Sequence, residues 1–167
     1  MKLRIRKLAR RSDARACAQI MSTSEPWITL QRNFAASLKI LLNPHREIYV
    51  ATLKTEIIGF IILQLEGTFT GYIQTIAVKE GWRNQGIGST LLAFAEDKIF
   101  STQPNVFLCV SSFNKKAQKL YRRLGYEKIG GIRNFIVNGH DEILLRKTIG
   151  PLVGFKISRK SYARPPR

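Results

Sequence analysis

Two cysteines and two histidines are all that this chain offers toward disulfide or metal chemistry. Cys17 and Cys109 stand far apart and the histidines add no clustered partner, which excludes a disulfide framework and every zinc-site spacing. No metal is expected, and a reducing cytoplasm is the simplest setting. Long apolar runs are also missing: nothing approaches the ~18 residues of a membrane span. The basic start lacks the uninterrupted ~7–15-residue apolar stretch of a signal peptide. Acidic residues are scarce, 11 Asp plus Glu against 28 Lys plus Arg, so the chain carries a formal charge of +17 and favours anionic partners. Both ends concentrate this excess, in "MKLRIRKLARR" and "KISRKSYARPPR". Such runs read either as solvated surface or as a contact with nucleic acid or a ribosome.

What is present fits one folded unit. The chain has 167 residues, 44% hydrophobic and 23% charged, enough for one sizeable core. "KLRIR" alternates as an edge strand with Arg4 and Arg6 in solvent. Ser12 or Asp13 then caps a helix through Met21, and a second helix is expected over about 30–42, with Leu30, Phe34, Leu38 and Leu41 on one face. "IYVATL", "IIGFIILQL" and "YIQTIAV" read as three antiparallel strands. A helix carrying Gly88, Leu91, Leu92, Ala95 and Ile99 follows, then the strand "VFLCV" and a helix from Asn114 that ends at Gly125. Two last strands should pair across Asn138-Gly139. This order predicts an α+β mixed sheet covered by helices. The domain is expected over 1–149, with a basic extension over 150–167.

The stretch "RNQGIGSTLL" carries the chemistry. Gly86-x-Gly88 opens a helix, whose free N–H groups and positive dipole end suit an anion, although glycines at a strand-to-helix turn also occur for steric reasons alone. The spacing matches neither the dinucleotide G-x-G-x-x-G nor the P-loop. Downstream, "NKKAQKLYRRLGY" places an asparagine at a helix start and a tyrosine seven residues on.

Together, "IAVKEGWRNQGIGSTLL" and "NKKAQKLYRRLGY" resemble the pyrophosphate loop and second block of the GNAT superfamily of acyl-CoA N-acyltransferases. The resemblance covers roughly 49–149. "RNF" and "GHDEILLRK" are similar to the ribosomal-protein-alanine type, which acetylates protein N-termini, and similar endings occur in acetyltransferases of small amines.

The resemblance implies a mostly antiparallel sheet of about seven strands, splayed between the fourth and fifth and flanked by about four helices. It implies transfer of an acetyl group from acetyl-CoA to a primary amine, a peptide N-terminus or a small amine, by direct attack in a ternary complex. Backbone groups of Ile76, Ala77 and Val78 would hold the pantetheine arm, and main-chain N–H groups of Arg83, Asn84, Gln85, Gly86, Ile87, Gly88 and Ser89 the pyrophosphate. Asn114 would contact the cofactor, and Tyr121 would protonate the departing thiolate. The ribosomal-protein-alanine type has a glutamate base where this chain has Cys109. Glu66, Glu25 or a relayed water could take that role, with Glu66 placed first because its loop leads into "YIQTIAV".

Structural readings stand beside these. Tyr121 also fits a core position, Asn114 a plain helix cap, Cys109 an inert strand residue, and Trp27 either packing or the acceptor site. The rival function is a non-catalytic module of the same fold that binds nucleic acid or the ribosome through its basic ends.

Overall fold

A computed structural model describes residues 3–67 and 69–156. The elements run β1 (Arg4–Lys7), α1 (Arg11–Ser22), α2 (Phe34–Leu41), β2 (Glu47–Leu53), β3 (Glu56–Gln64), β4 (Tyr72–Val78), a 3₁₀ turn (Glu80–Trp82), α3 (Ile87–Phe100), β5 (Asn105–Ser111), α4 (Lys115–Arg123), β6 (Glu127–Ile132) and β7 (Glu142–Thr148). The strands form one seven-stranded sheet in the order β1-β2-β3-β4-β5-β7-β6. Every neighbouring pair is antiparallel except β4 and β5, which are parallel. This is the α+β architecture expected from the residue pattern. The basic tail over 157–167 lies outside the described residues.

The sheet is covered on both faces because β3 is apolar on both: Ile58 and Ile61 join one core cluster, Phe60 and Ile62 the other. The first cluster takes Leu91, Leu92, Ala95 and Ile99 of α3, with Tyr121 of α4. The second takes Ala14, Cys17, Ala18 and Met21 of α1, with Leu41 of α2. A helix layer therefore lies on each side of the sheet.

Three local expectations are corrected. Asp13 is not the first cap residue of α1 but sits in its first turn, where Oδ2 accepts the N–H groups of Ala9 and Arg10 at 3.3 Å each. Arg6 is exposed, as expected, and from there donates to the two Asp13 oxygens at 2.7 and 3.0 Å. These bonds, the Arg6 bond foremost, hold the Asp13 carboxyl down at about 2. The second helix starts at Phe34, because Asn33 caps it by accepting the Ala36 N–H at 2.9 Å; Leu30 is buried in the preceding turns instead. Asn138-Gly139 does not make a tight hairpin. Asn134 Oδ1 accepts the Gly139 N–H at 2.8 Å and Asp141 Oδ1 accepts the Asn134 N–H at 3.1 Å, which stabilises a wider loop over 133–141.

Candidate active site

β4 and β5 share only two register pairs, Tyr72 with Phe107 and Ile73 with Leu108, before they part. Beyond them β4 pairs with β3 alone, so its other edge keeps main-chain donors and acceptors without a strand partner. The gap opens into a groove of about 1350 Å³.

Its first half is built from main chain. Ile76, Ala77 and Val78 line it, followed by Arg83, Asn84, Gly86, Ile87, Gly88 and Ser89. Two left-handed residues, Asn84 (φ 63°) and Gly86 (φ 78°), turn the chain from the 3₁₀ segment into α3. At Gly86 only glycine adopts this conformation without strain. Arg83 Nε donates to the Val78 carbonyl at 3.1 Å, which ties the loop back to β4. The helical ladder of α3 begins with Thr90 N–H donating to Gly86 O at 3.0 Å, so the N–H groups of Ile87, Gly88 and Ser89 precede it and are left for an anion. A Cβ built on Gly88 would come no closer than 3.9 Å to Val78 Cγ2 and 4.0 Å to Leu120 Cδ2. The hydrogen there therefore leaves room between β4 and α4 that packing does not require.

Gln85 departs from the rest of its loop. It is exposed, does not line the groove, and its Nε2 donates to the Gly81 carbonyl at 3.2 Å. The opposite wall is α4, whose N-terminal Asn114 both lines the groove and caps the helix, accepting the Ala117 N–H at 3.2 Å. Cap and groove wall coexist in one side chain. Lys115, Lys116, Lys119 and Arg123 line the same wall, so the field there favours a polyanion. Tyr121 packs edge-on against Tyr126 with ring centroids 5.7 Å apart, is 6% exposed, and still reaches the groove. Burial pushes its phenol above the ordinary range, which keeps it protonated at neutral pH.

The second half is built from side chains. The α1–α2 loop supplies Glu25 and Trp27, the β6–β7 loop Phe135 and Ile136, and the throat Tyr72, Cys109, Ser111 and Glu142. Glu25 is exposed and accepts from Thr29 N–H at 3.3 Å and Thr29 Oγ at 3.1 Å. Burial raises the Cys109 thiol, so it stays uncharged and poorly nucleophilic. Glu66 is not brought here: it is exposed on the β3–β4 connection, beyond the paired end of β4, and does not line the groove. Glu142 was missed by sequence reasoning. Its one sequence signal is an acid at the head of the strand "EILLRKT", which only matters once β7 is known to lie beside β5.

Among the described residues no group of three His, Cys, Asp or Glu side chains comes together to hold a metal. Likewise, no helix among them is long and apolar enough to cross a membrane.

The model of the acetyltransferase (GNAT) family matches residues 14–126. The N-alpha-acetyltransferase RimI of Mycobacterium tuberculosis is 29% identical over 84% of this chain and 89% of its own length. The N-alpha-acetyltransferase of Sulfurisphaera tokodaii is 29% identical over 58% of this chain, and the match spans 66% of that protein. Two solved structures share the fold: an aminoglycoside 6′-N-acetyltransferase complexed with coenzyme A (TM-score 0.71, 18% identity, 88% of this chain and 97% of that one) and the ribosomal-protein-S18-alanine N-acetyltransferase of Escherichia coli (TM-score 0.70, 21% identity, 90% and 96%). With a family match across most of its length and a groove whose main-chain half suits an anionic cofactor, the chain belongs to the GNAT acetyltransferase family and moves an acetyl group from acetyl-CoA to a primary amine.

Proposed function

We propose that the acceptor is the α-amino group of a peptide N-terminus, and that residues 1–149 carry the transfer, with 150–167 as an extension. The observation that carries this reading is the make-up of the groove's second half: it is open, aromatic at Trp27 and Phe135, and holds two carboxylates, Glu25 and Glu142, against the cationic cofactor wall. An uncharged polypeptide start with one ammonium suits it, whereas a polycation is repelled at long range by a chain of +17. The relative from M. tuberculosis, an N-alpha-acetyltransferase, supports the same acceptor. So does chemistry: an α-amine with a pKa of about 7.7–8.0 is partly neutral at pH 7, while a lysine amine at about 10.4 is not.

In this reading the N–H groups of Ile87, Gly88 and Ser89 hold the pyrophosphate, the open edge of β4 holds the pantetheine arm, and Asn114 borders it. Tyr121 is the acid that protonates the departing thiolate. Burial keeps its phenol protonated at neutral pH, so a proton is present when the thiolate forms. The two free thiols support a cytoplasmic setting. A shallow hollow of about 270 Å³ lined by Lys7, Arg10, Arg11 and Arg46 supports an additional contact with an anionic surface such as RNA, alongside transfer.

The test is an acceptor panel with labelled acetyl-CoA: peptides with a free N-terminus, including N-terminal peptides of ribosomal proteins; N-blocked lysine peptides; and small amines. Thiol release and acetylated product are measured. The expected outcome is label on the free N-termini. Label confined to lysine or small amines would overturn the acceptor assignment.

A further inference from the structure

Glu142 opens β7 opposite Ser111 of β5 and is 4% exposed. Ser111 Oγ donates to its Oε1 at 2.5 Å. Among the described residues it joins no ion pair. It nevertheless lines the groove at the throat where β4 and β5 part. A carboxylate withdrawn from water with no cation beside it is unfavourable, so its place facing a groove that takes amines marks where a cation arrives.

The groups around it narrow its role. Tyr72 faces it from β4 and Cys109 from β5, and burial holds both above their ordinary values, so neither carries charge near neutral pH. Ile132 lies opposite on β6 and is uncharged; Asp141, the preceding residue, is exposed and engaged by the Asn134 N–H. Glu142 is thus the proton acceptor that this cluster contains. Position 109, where the resemblance implies a glutamate, is two residues from Ser111 on the same face of β5, and Glu142 reaches that face from the neighbouring strand.

We propose that Glu142, oriented by Ser111, receives the acceptor's ammonium and removes its proton. The inference rests on the acetyl-transfer reading above. The proton passes from nitrogen to a Glu142 oxygen and then to solvent, and the freed lone pair forms the C–N bond at the thioester carbonyl. As the C–S bond breaks, Tyr121 protonates the sulfur and regains a proton from the new amide nitrogen. The balance is one amide, one thiol and one proton released. Burial raises the Glu142 carboxyl, which supports the role by bringing its proton affinity toward that of the amine.

The test compares wild type and Glu142→Gln across pH on an N-terminal peptide, with acetyl-CoA affinity measured separately. Glu142→Gln should lower kcat/KM about 100-fold near pH 7. The deficit should shrink as pH rises and the amine loses its proton unaided, with acetyl-CoA affinity unchanged. Adding Cys109→Glu to that variant should restore part of the rate. A deficit of the same size at every pH, or no deficit, overturns the proposal while leaving acetyl transfer intact; a wild type that acetylates no amine overturns the transfer reading itself. Should Glu142→Gln not fold, Ser111→Ala serves. Removing the bond that stabilises the charged carboxylate should move the acidic limb of the kcat/KM profile to higher pH, and an unmoved limb overturns the proposal.

Discussion

At the α3 end of the groove the contacts come from main chain and glycine within one short stretch, Val78 to Ser89. At the β7 end they come from the side chains of Trp27, Cys109, Phe135 and Glu142, which are scattered along the sequence. The first end is set by local backbone geometry, so it works with any side chains that permit the turn. The second exists only because strands remote in sequence are neighbours in the sheet. A cofactor common to a family can be held by the first means, while the proposed acceptor end depends on the second.

The comparison breaks most sharply at Gly88. Gly88→Glu puts a carboxylate beside the N–H groups proposed to hold the pyrophosphate, and acetyl-CoA affinity should fall at least about 100-fold by calorimetry. The fold should survive, because the nearest atoms to a Cβ there are 3.9 Å away. Affinity equal to wild type in a folded variant would remove the cradle. Next comes Tyr121→Phe, which keeps the ring packed on Tyr126 and removes the proton. It should lower kcat about 100-fold without changing acetyl-CoA affinity; wild-type turnover would return Tyr121 to a purely packing role.

The smallest effect lies away from the groove. Asp13→Asn removes the charge paired with Arg6 while its amide oxygen still accepts from the Ala9 and Arg10 N–H groups, and should cost about 1 kcal/mol, discounted because Arg6 is largely exposed. Because the folded Asp13 carboxyl is depressed from 3.8 to about 2, its contribution is present above pH 4 and lost as pH falls toward 2. Wild type and variant should therefore differ in unfolding midpoint at pH 7 and converge at pH 2, with acetyl transfer untouched at neutral pH.

Much of the fold was legible in the residues. The alternation of "KLRIR", the apolar stripe on α3, and Gly125 after α4, at φ 87°, each express a local rule that the tertiary structure does not override. Where expectation and structure part, a side-chain hydrogen bond intervenes. Asn33 starts α2 later than its apolar face begins, and Asn134 with Asp141 opens the last hairpin beyond its Asn-Gly signal. Nothing in residue type alone reveals which of several nearby polar groups will make such a bond.

The site divides along the same line. The Gly86-x-Gly88 loop and Asn114 could be placed from local pattern, and both line the groove. Glu66 is close to β4 in sequence, yet the β3–β4 connection carries it out of the groove. The amino-acid sequence by itself determined the family, the glycine turn that lines the groove and the charge that favours an anionic donor, because motif and turn depend on neighbouring residues and charge on composition alone. Only the tertiary structure decided which carboxylates face the groove. It inserts β7 between β5 and β6, and that single act of strand order sets Glu142 against Ser111.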